Sequence, residues 1–478
     1  MTHFLTLTLR LALVIGLLAG LLFIALLASI PLAKMESIDD LPLTDNSQTL
    51  AIDNANVITM VGNKVLRNKQ VIIENGQIRD IVPAGSPVQA GVALVDANNG
   101  WLLPGLFDMH AHVYDRKYQV LSLTYGITSV RNMAGFPFHL RWANELRNGE
   151  WLGSNLLNAS PILNSAERAD RLGQVAVSGP EHARELVKKY RQDGWDYIKV
   201  YEDLSAESFE AIMEEAKVQG LPVVGHIPYS VVDDRYDFAG MMRTLEHVEE
   251  IYDGPLDYSF DEKKLENTVR ELSSLGATVT PTLMIFDQLT QISRHKQAFI
   301  DELPLDYINP LVRMIINHTD GHRWLSADEE LARHNAQQNQ FHQAIVRALQ
   351  RNRVNMVLGS DSGAIYASQG LSTHQEMKLM VEAGLSPWTV LRTATANAAK
   401  AAGLENSHGT IEKGKTADLV LVWDNPLFDL SVLSEPRAVV KNGQYLNRER
   451  ILELRISSLN QSSSYTTLGR LLEFQFYR

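Results

Sequence analysis

The segment GLFDMHAHVY, residues 105–114, sets His110 and His112 on either side of one alanine, with Asp108 two residues before the first. Histidine is seldom a core filler, so two at this spacing in an apolar stretch ask for a chemical reason. In an extended chain residues i and i+2 point the same way, and the two imidazoles would aim at one spot. Such a pair can hold a metal ion; a satisfied pair of core histidines is the plainer alternative. Four other residues end strand-like runs: Lys199 in YIKVY, His226 in VVGH, His247 in LEHVE and Asp361 in LGSD. Singly, each has an ordinary reading. Lys199 can pair with Glu202 or Asp203, the histidines can be satisfied core groups, and Asp361 can cap a turn. Together, at one end of one set of strands, they read more economically as a single site.

The elements around them support that placement. In GWDYIKVYEDLSAESFEAIMEEAKVQGLPVVGHIP a strand is followed by a helix. Ser205 caps the helix, Glu207 and Glu210 favour its positive end, and Gly220 stops it. Phe209, Ile212, Met213 and Ala216 recur at helical spacing, and LPVVGH is the next strand. Short strand–helix–strand crossovers belong to parallel sheets. Their repetition predicts an α/β fold, a TIM-type (β/α)8 barrel over residues 104–403, whose active sites lie at the strands' C-terminal ends. Short β runs with Asn-Gly turn signals at 48–103 and again at 404–447 predict a composite β-sandwich built from both ends of the chain.

Three segments stand outside this frame. Residues 286–350 are polar and helical in pattern, a possible inserted cap; HTDGH within it spaces His318 and His322 as a helical zinc pair would, but reads as solvated surface. Residues 448–478 form a tail whose SSLNQSSSYTT looks flexible. Residues 1–35 carry an apolar run from Leu11 to Ala33, about 23 residues, enough to cross a bilayer. It predicts a transmembrane helix, with the catalytic domain held at the inner membrane on the periplasmic or outer side. A cleaved signal and a secreted or periplasmic protein are the alternative. Residues 36–47 read as a polar linker.

Composition excludes several classes. The 478 residues carry a formal charge of −12, which argues against a nucleic-acid partner. There is no cysteine. Disulfides, thiolate nucleophiles and zinc–cysteine sites are therefore ruled out, and any metal must be held by other side chains.

PGLFDMHAH, followed by a strand-end Lys, His, His and Asp in that order, resembles the amidohydrolase superfamily. TATANAAKAAGLENSHGTIEKGKTADLVLVWDNP resembles that superfamily's return to its satellite sheet, and the likeness runs over roughly residues 48–445. GWDYIKVYEDLSAESFEAIMEEAKVQGLPVVGHIP and LEHVEE are similar to the imidazolonepropionase-like and Xaa-Pro dipeptidase (prolidase)-like group. The resemblance implies a metal-dependent hydrolase of carbon–nitrogen bonds acting on a small molecule, cyclic amide or dipeptide. By that pattern His110, His112 and Asp361 hold one metal and His226 and His247 a second. Lys199, converted by CO₂ to a carbamate, bridges the two, since a protonated lysine has no lone pair to offer. Imidazole and oxygen donors suit zinc. A metal-bridging hydroxide would attack the carbonyl, with Asp361 moving the proton. Tyr229, Arg131 and His374 are candidate substrate-binding residues. The family also makes a homo-oligomer plausible. The rival readings are a mononuclear imidazolonepropionase- or deaminase-type hydrolase, in which Lys199 is no ligand, and a non-catalytic periplasmic binding protein.

Overall fold

The computed structural model describes residues 20, 23–45, 49–170, 173–232 and 236–478. Its strands are β1 Leu50–Ile58, β2 Val65–Glu74, β3 Gln77–Pro83, β4 Ala93–Asp96, β5 Trp101–Pro104, β6 Leu106–Ala111, β7 Ile127–Asn132, β8 Asn155–Asn158, β9 Ile162–Ser165, β10 Gln174–Val177, β11 Ile198–Val200, β12 Val223–Gly225, β13 Thr244–Glu246, β14 Thr278–Thr280, β15 Asn355–Met356, β16 Leu419–Val422, β17 Ala438–Lys441 and β18 Gln444–Asn447.

Both ends of the chain share one sheet, in the order β18-β17-β16-β5-β1-β2-β3, with β4 beside β1. The central pairing is antiparallel, Val420 facing Leu103 and Leu421 facing Leu102. Leu50, Ile52, Val57, Val71, Leu102, Leu419, Leu421 and Val440 pack into this sheet's own core. The two segments expected to build a composite β-sandwich, 48–103 and 404–447, thus share one composite sheet. β5 passes directly into β6 through Gly105, where a Cβ would lie 2.2 Å from Thr128 Oγ1. Only glycine lets the chain cross so close to β7.

The remaining strands are parallel. β6-β7-β8 form one sheet and β10-β9-β11-β12-β13-β14-β15 another. Backbone hydrogen bonds link the two at both edges. Ser160 N donates to Tyr197 O (2.8 Å), and Met109 N donates to Leu358 O (2.8 Å). Helices follow the strands as their sequences direct. In Ala206–Gln219, Ser205 Oγ accepts from Ser208 N, Gly220 closes the helix at φ +68°, and Phe209, Ile212 and Ala216 are buried.

Two expectations are corrected. Among the described residues no helix is long and apolar enough to cross a membrane, so the transmembrane helix and the inner-membrane location do not stand. Most of the apolar run, residues 1–19 and 21–22, lies outside the described residues. The described part, 23–34, is a helix that packs on the protein's own C-terminal helix, Ser464–Tyr477. Ser29 is fully buried, and a Cβ on Gly469 would meet Ser29 O at 2.1 Å. Nor is the 448–478 tail a loose end. Helices Arg448–Ser457 and Ser464–Tyr477 are capped by Asn447 and Ser463, and Thr467, Arg470 and Phe474 are buried. Between β14 and β15 the chain is helical, running from Leu283–His295 to Glu329–Arg351, and His318 there is exposed, as read.

Candidate active site

Each candidate follows from where a parallel strand ends. His110 lies in β6 and His112 just past it; Lys199 is the middle residue of β11; His226 and His247 directly follow β12 and β13. Asp361 is brought in by the segment after β15, which lies along β6. Asp361 N donates to His110 O (2.8 Å), and His112 N donates to Ser362 O (2.7 Å). Gly359 permits this approach, since a Cβ there would sit 2.7 Å from His110 Cβ. His247 and Asp361 both hold positive φ, +65° and +56°. Non-glycine residues keep such backbone only where the surroundings over-determine it, commonly at working sites.

The side chains converge. His112 Nε2 lies 2.9 Å and His110 Nε2 3.6 Å from Asp361 Oδ1. The ligand-capable atoms of these three residues all fall within 4.8 Å of one another. The His110 ring lies 4.6 Å from that of His247, tilted by 51°, and His247 meets His226 at 5.0 Å between centroids. A second group, Glu202, His226 and Glu250, is equally tight. Lys199, 2% exposed, lies in the electrostatic field of Glu246 and Asp361 and of the histidines.

A supporting layer surrounds them. His110 Nδ1 faces Glu246 Oε2 at 2.8 Å; Arg131 Nη2 donates to Glu246 Oε1 at 2.8 Å, and Arg131 Nε donates to Met109 O at 2.7 Å. Glu246 also accepts from Thr244 Oγ1. Asp108 accepts from Ser360 Oγ (2.5 Å), Thr373 Oγ1 (2.7 Å), Ser360 N (3.0 Å) and His110 N (3.2 Å), tying the Asp361 segment to β6. His247 Nδ1 meets Thr282 Oγ1 at 2.6 Å.

Burial and charge set the protonation states. Burial pushes His110 down to about 4 and His247 well below the histidine range, so both present neutral imidazoles. Burial alone would raise Asp361, but His110 and His112 hold it well below the carboxylate range. For Glu246 burial is likewise overcome, by Arg131 and His110. Burial lowers Lys199 to about 8 despite Glu246 and Asp361. Burial opposes a charge on His226, yet Glu250 and Glu202 outweigh it and push that ring up to about 9.

These residues fit a divalent cation. Asp361 Oδ1, His112 Nδ1 and both ring nitrogens of His226 are buried without a hydrogen-bond partner. An imidazole whose other nitrogen is fixed by a carboxylate, as His110 is by Glu246, is the usual arrangement of a metal-binding histidine. The carboxylates that favour a proton on His226 would favour a metal cation equally.

A model described as Amidohydrolase family matches residues 101–446. The chain belongs to the amidohydrolase family. This amidohydrolase is 24% identical over 413 residues to a 5-methylthioadenosine/S-adenosylhomocysteine deaminase of Shouchella clausii, covering 78% of this chain and 85% of that protein. It is 22% identical over 366 residues to an imidazolonepropionase of Acinetobacter baumannii, covering 73% and 86%. A match to an adenine deaminase of Chelativorans sp. spans only 37% of that protein. The fold is shared with a crystal structure of a Xaa-Pro dipeptidase with bound methionine, at TM-score 0.66 and 20% identity, covering 84% of this chain and all of that one.

The amidohydrolase gathers His110, His112, His226, His247 and Asp361, with Lys199 buried in their electrostatic field. The three substrate candidates fall elsewhere or differently. Arg131 is fully buried and donates to Glu246 and to Met109 O. His374 Nε2 donates to Tyr125 O (2.8 Å) and its ring lies beside the Tyr125 ring. Tyr229 is 42% exposed and lies beside Glu202, Glu250 and Asp253. Sequence reasoning missed Glu246, Glu202 and Glu250. Glu246 and Glu250 were within the quoted LEHVEE, but only a strand register places a residue adjacent to His247 beneath the His110 ring.

Proposed function

We propose that this amidohydrolase is a metal-dependent hydrolase that cleaves an amide C–N bond in a small molecule, cyclic amide or dipeptide. Hydrolysis of C–N bonds in small molecules is the family's chemistry; the amide, the metals and their number are our reading. The observation that carries it is the convergence of His110, His112 and Asp361 within 4.8 Å, with His226, His247 and Lys199 alongside. We read the two parallel sheets as a (β/α)8 barrel, supported by the hydrogen bonds from Ser160, just after β8, to Tyr197, just before β11, and from β6 to the segment after β15. The site then lies at the strands' C-terminal end.

His110, His112 and Asp361 would hold one cation, and His226 and His247 a second, with Lys199 between them as a carbamate. Neutral amine reacts with CO₂, and a lysine lowered to about 8 offers more of it at neutral pH than an ordinary one. Such a cation, zinc by the donor set, supplies Lewis acidity and lowers the pKa of water. Glu246 fixes the tautomer of His110. Asp361, held ionised, takes up a proton and delivers it to the departing nitrogen.

The test is metal content. Full chain purified from cells given zinc and bicarbonate should hold about two metals, fewer in Lys199→Ala, and should cleave some member of a panel of cyclic amides, N-acyl amino acids and Xaa-Pro dipeptides. A chain that binds no metal overturns the reading. One specific observation favours a second reading, a one-metal deaminase or imidazolonepropionase: the His110, His112 and Asp361 group is complete without Lys199. One metal per chain, indifferent to Lys199→Ala, would decide for it.

A further inference from the structure

One end of the site is crowded with carboxylates. Glu202 follows β11, and Glu249, Glu250 and Asp253 lie on the short helix Glu249–Asp253 that follows β13. His226 Nδ1 stands 2.9 Å from Glu250 Oε1 and 3.0 Å from Glu202 Oε2. Neither contact has hydrogen-bond geometry, so both nitrogens of this ring, 5% exposed and turned into the cluster, lack a hydrogen bond. Glu202 Oε2 and Asp253 Oδ1 are likewise buried without one. Tyr229 and Tyr258, 42% and 57% exposed, stand at the rim near Glu250 and Asp253. Gathered carboxylates repel one another, and partial burial strips the water that would otherwise soften the repulsion. Two cations, His226 and Lys199, act on this cluster of four carboxyl groups.

We propose that Glu202, Glu249, Glu250 and Asp253 form a subsite for a positively charged group of the substrate, an ammonium or guanidinium. This rests on the amide-hydrolase reading and narrows its substrates to peptide-like amides with a free amine or a basic side chain. An ammonium has three donors and no acceptor, which matches a ring of acceptor oxygens. Each bond it makes here is charge-assisted. The tyrosine faces at the rim add attraction for a cation. An N-acylated amine carries no charge and leaves buried carboxylates unpaired. A site built for a polar group rejects an analogue lacking it far more strongly than an apolar pocket rejects a misfit.

The test uses metal-loaded full chain and three compounds with one common leaving group: an alanyl amide with a free amine, its N-acetyl derivative, and an N-acetyl-lysyl amide. The free amine should be cleaved with kcat/KM roughly ten- to a hundredfold above the N-acetylalanyl compound. That ratio should fall toward one in Glu250→Gln and in Glu202→Gln, with metal per chain unchanged. An equal preference shown instead by the N-acetyl-lysyl compound would place a side-chain cation in the subsite. Equal rates for all three overturn the proposal. So does loss of metal in either glutamine variant, which would make those carboxylates ligands. If none of the three is cleaved, calorimetry with alaninamide and N-acetylalaninamide decides. Tighter binding of alaninamide that weakens in Glu250→Gln keeps the subsite and sinks only the amide-hydrolase reading; equal binding sinks the subsite.

Discussion

Asp361 is placed by its backbone before its side chain does anything. Its left-handed φ of +56° and the bond from its N–H to His110 O turn the carboxylate toward both imidazoles. As the proton carrier it should be indispensable: Asp361→Asn is expected to lower kcat by about 10²–10⁴ while metal content persists. Full turnover in that variant, read in steady-state assays, would remove Asp361 from the chemistry. Glu246 acts one step further out. Glu246→Gln keeps the shape but takes the charge from the partner of His110, and metal affinity should fall about 10–100-fold in chelator competition. Unchanged affinity would leave Glu246 as a mere counter-ion for Arg131. At this scale the sequence was legible where residue type alone carries meaning: histidine, lysine and aspartate at strand ends. Arg131 was left open between substrate contact and structural salt bridge because the two look alike until its partner, 115 positions away, is known.

The helix Leu371–Glu382 packs against the start of Leu283–His295, and Glu376 accepts from Met284 N at 2.7 Å. Burial pushes this carboxyl up to about 8 from the ordinary glutamate value of 4.5, against the hydrogen bonds from Met284 and Leu283. The folded state therefore binds the proton more tightly than the unfolded chain. Stability from this group is full below about 4.5 and declines as pH rises toward 8, because ionisation is cheap only when unfolded. Glu376→Gln removes the titration and keeps an acceptor for Met284 N. Urea unfolding at pH 5 and pH 8 should show the wild type losing more stability over that interval than the variant; equal losses would mean the carboxyl ionises freely in the fold. Elements with strong local signals, such as Ala206–Gln219 between Ser205 and Gly220, were readable in advance. The acidic cluster was not, since Glu202 and Glu250 follow different strands and only strand order makes them neighbours.

At the scale of the molecule, the two chain ends are knotted together by charge. Arg470, 1% exposed at its side chain, sends Nη1 to Glu36 Oε2 (2.8 Å) and Nη2 to Tyr114 O (3.0 Å), with Asp115 Oδ2 3.5 Å away. Glu36 also takes Arg116 Nη1 at 2.7 Å and Ser462 Oγ at 2.5 Å. A segment read as a polar linker and a tail whose SSLNQSSSYTT was read as flexible thus clasp each other across the body. Nothing local announces this: each charged residue alone suits solvent, and the pairing spans 434 positions. A buried arginine pair is strongly destabilised when one partner is lost, though Glu36 would keep Arg116, so Arg470→Met should cost about 2 kcal/mol in chemical denaturation. Paired with Glu36→Gln, the double-mutant cycle should return a coupling of about 1 kcal/mol or more, as residues in one ion-pair network do. The same variant should open residues 36–45 to limited proteolysis ahead of global unfolding, because the strap then keeps only two ion pairs, Glu36–Arg116 and Asp40–Lys117, beside the hydrogen bonds from Ser462 Oγ to Glu36 and from Leu152 N to Pro42 O. Additive energies with an uncut strap would mean that apolar packing of residues 23–34 on the C-terminal helix, and not the ion pairs, holds the ends in place.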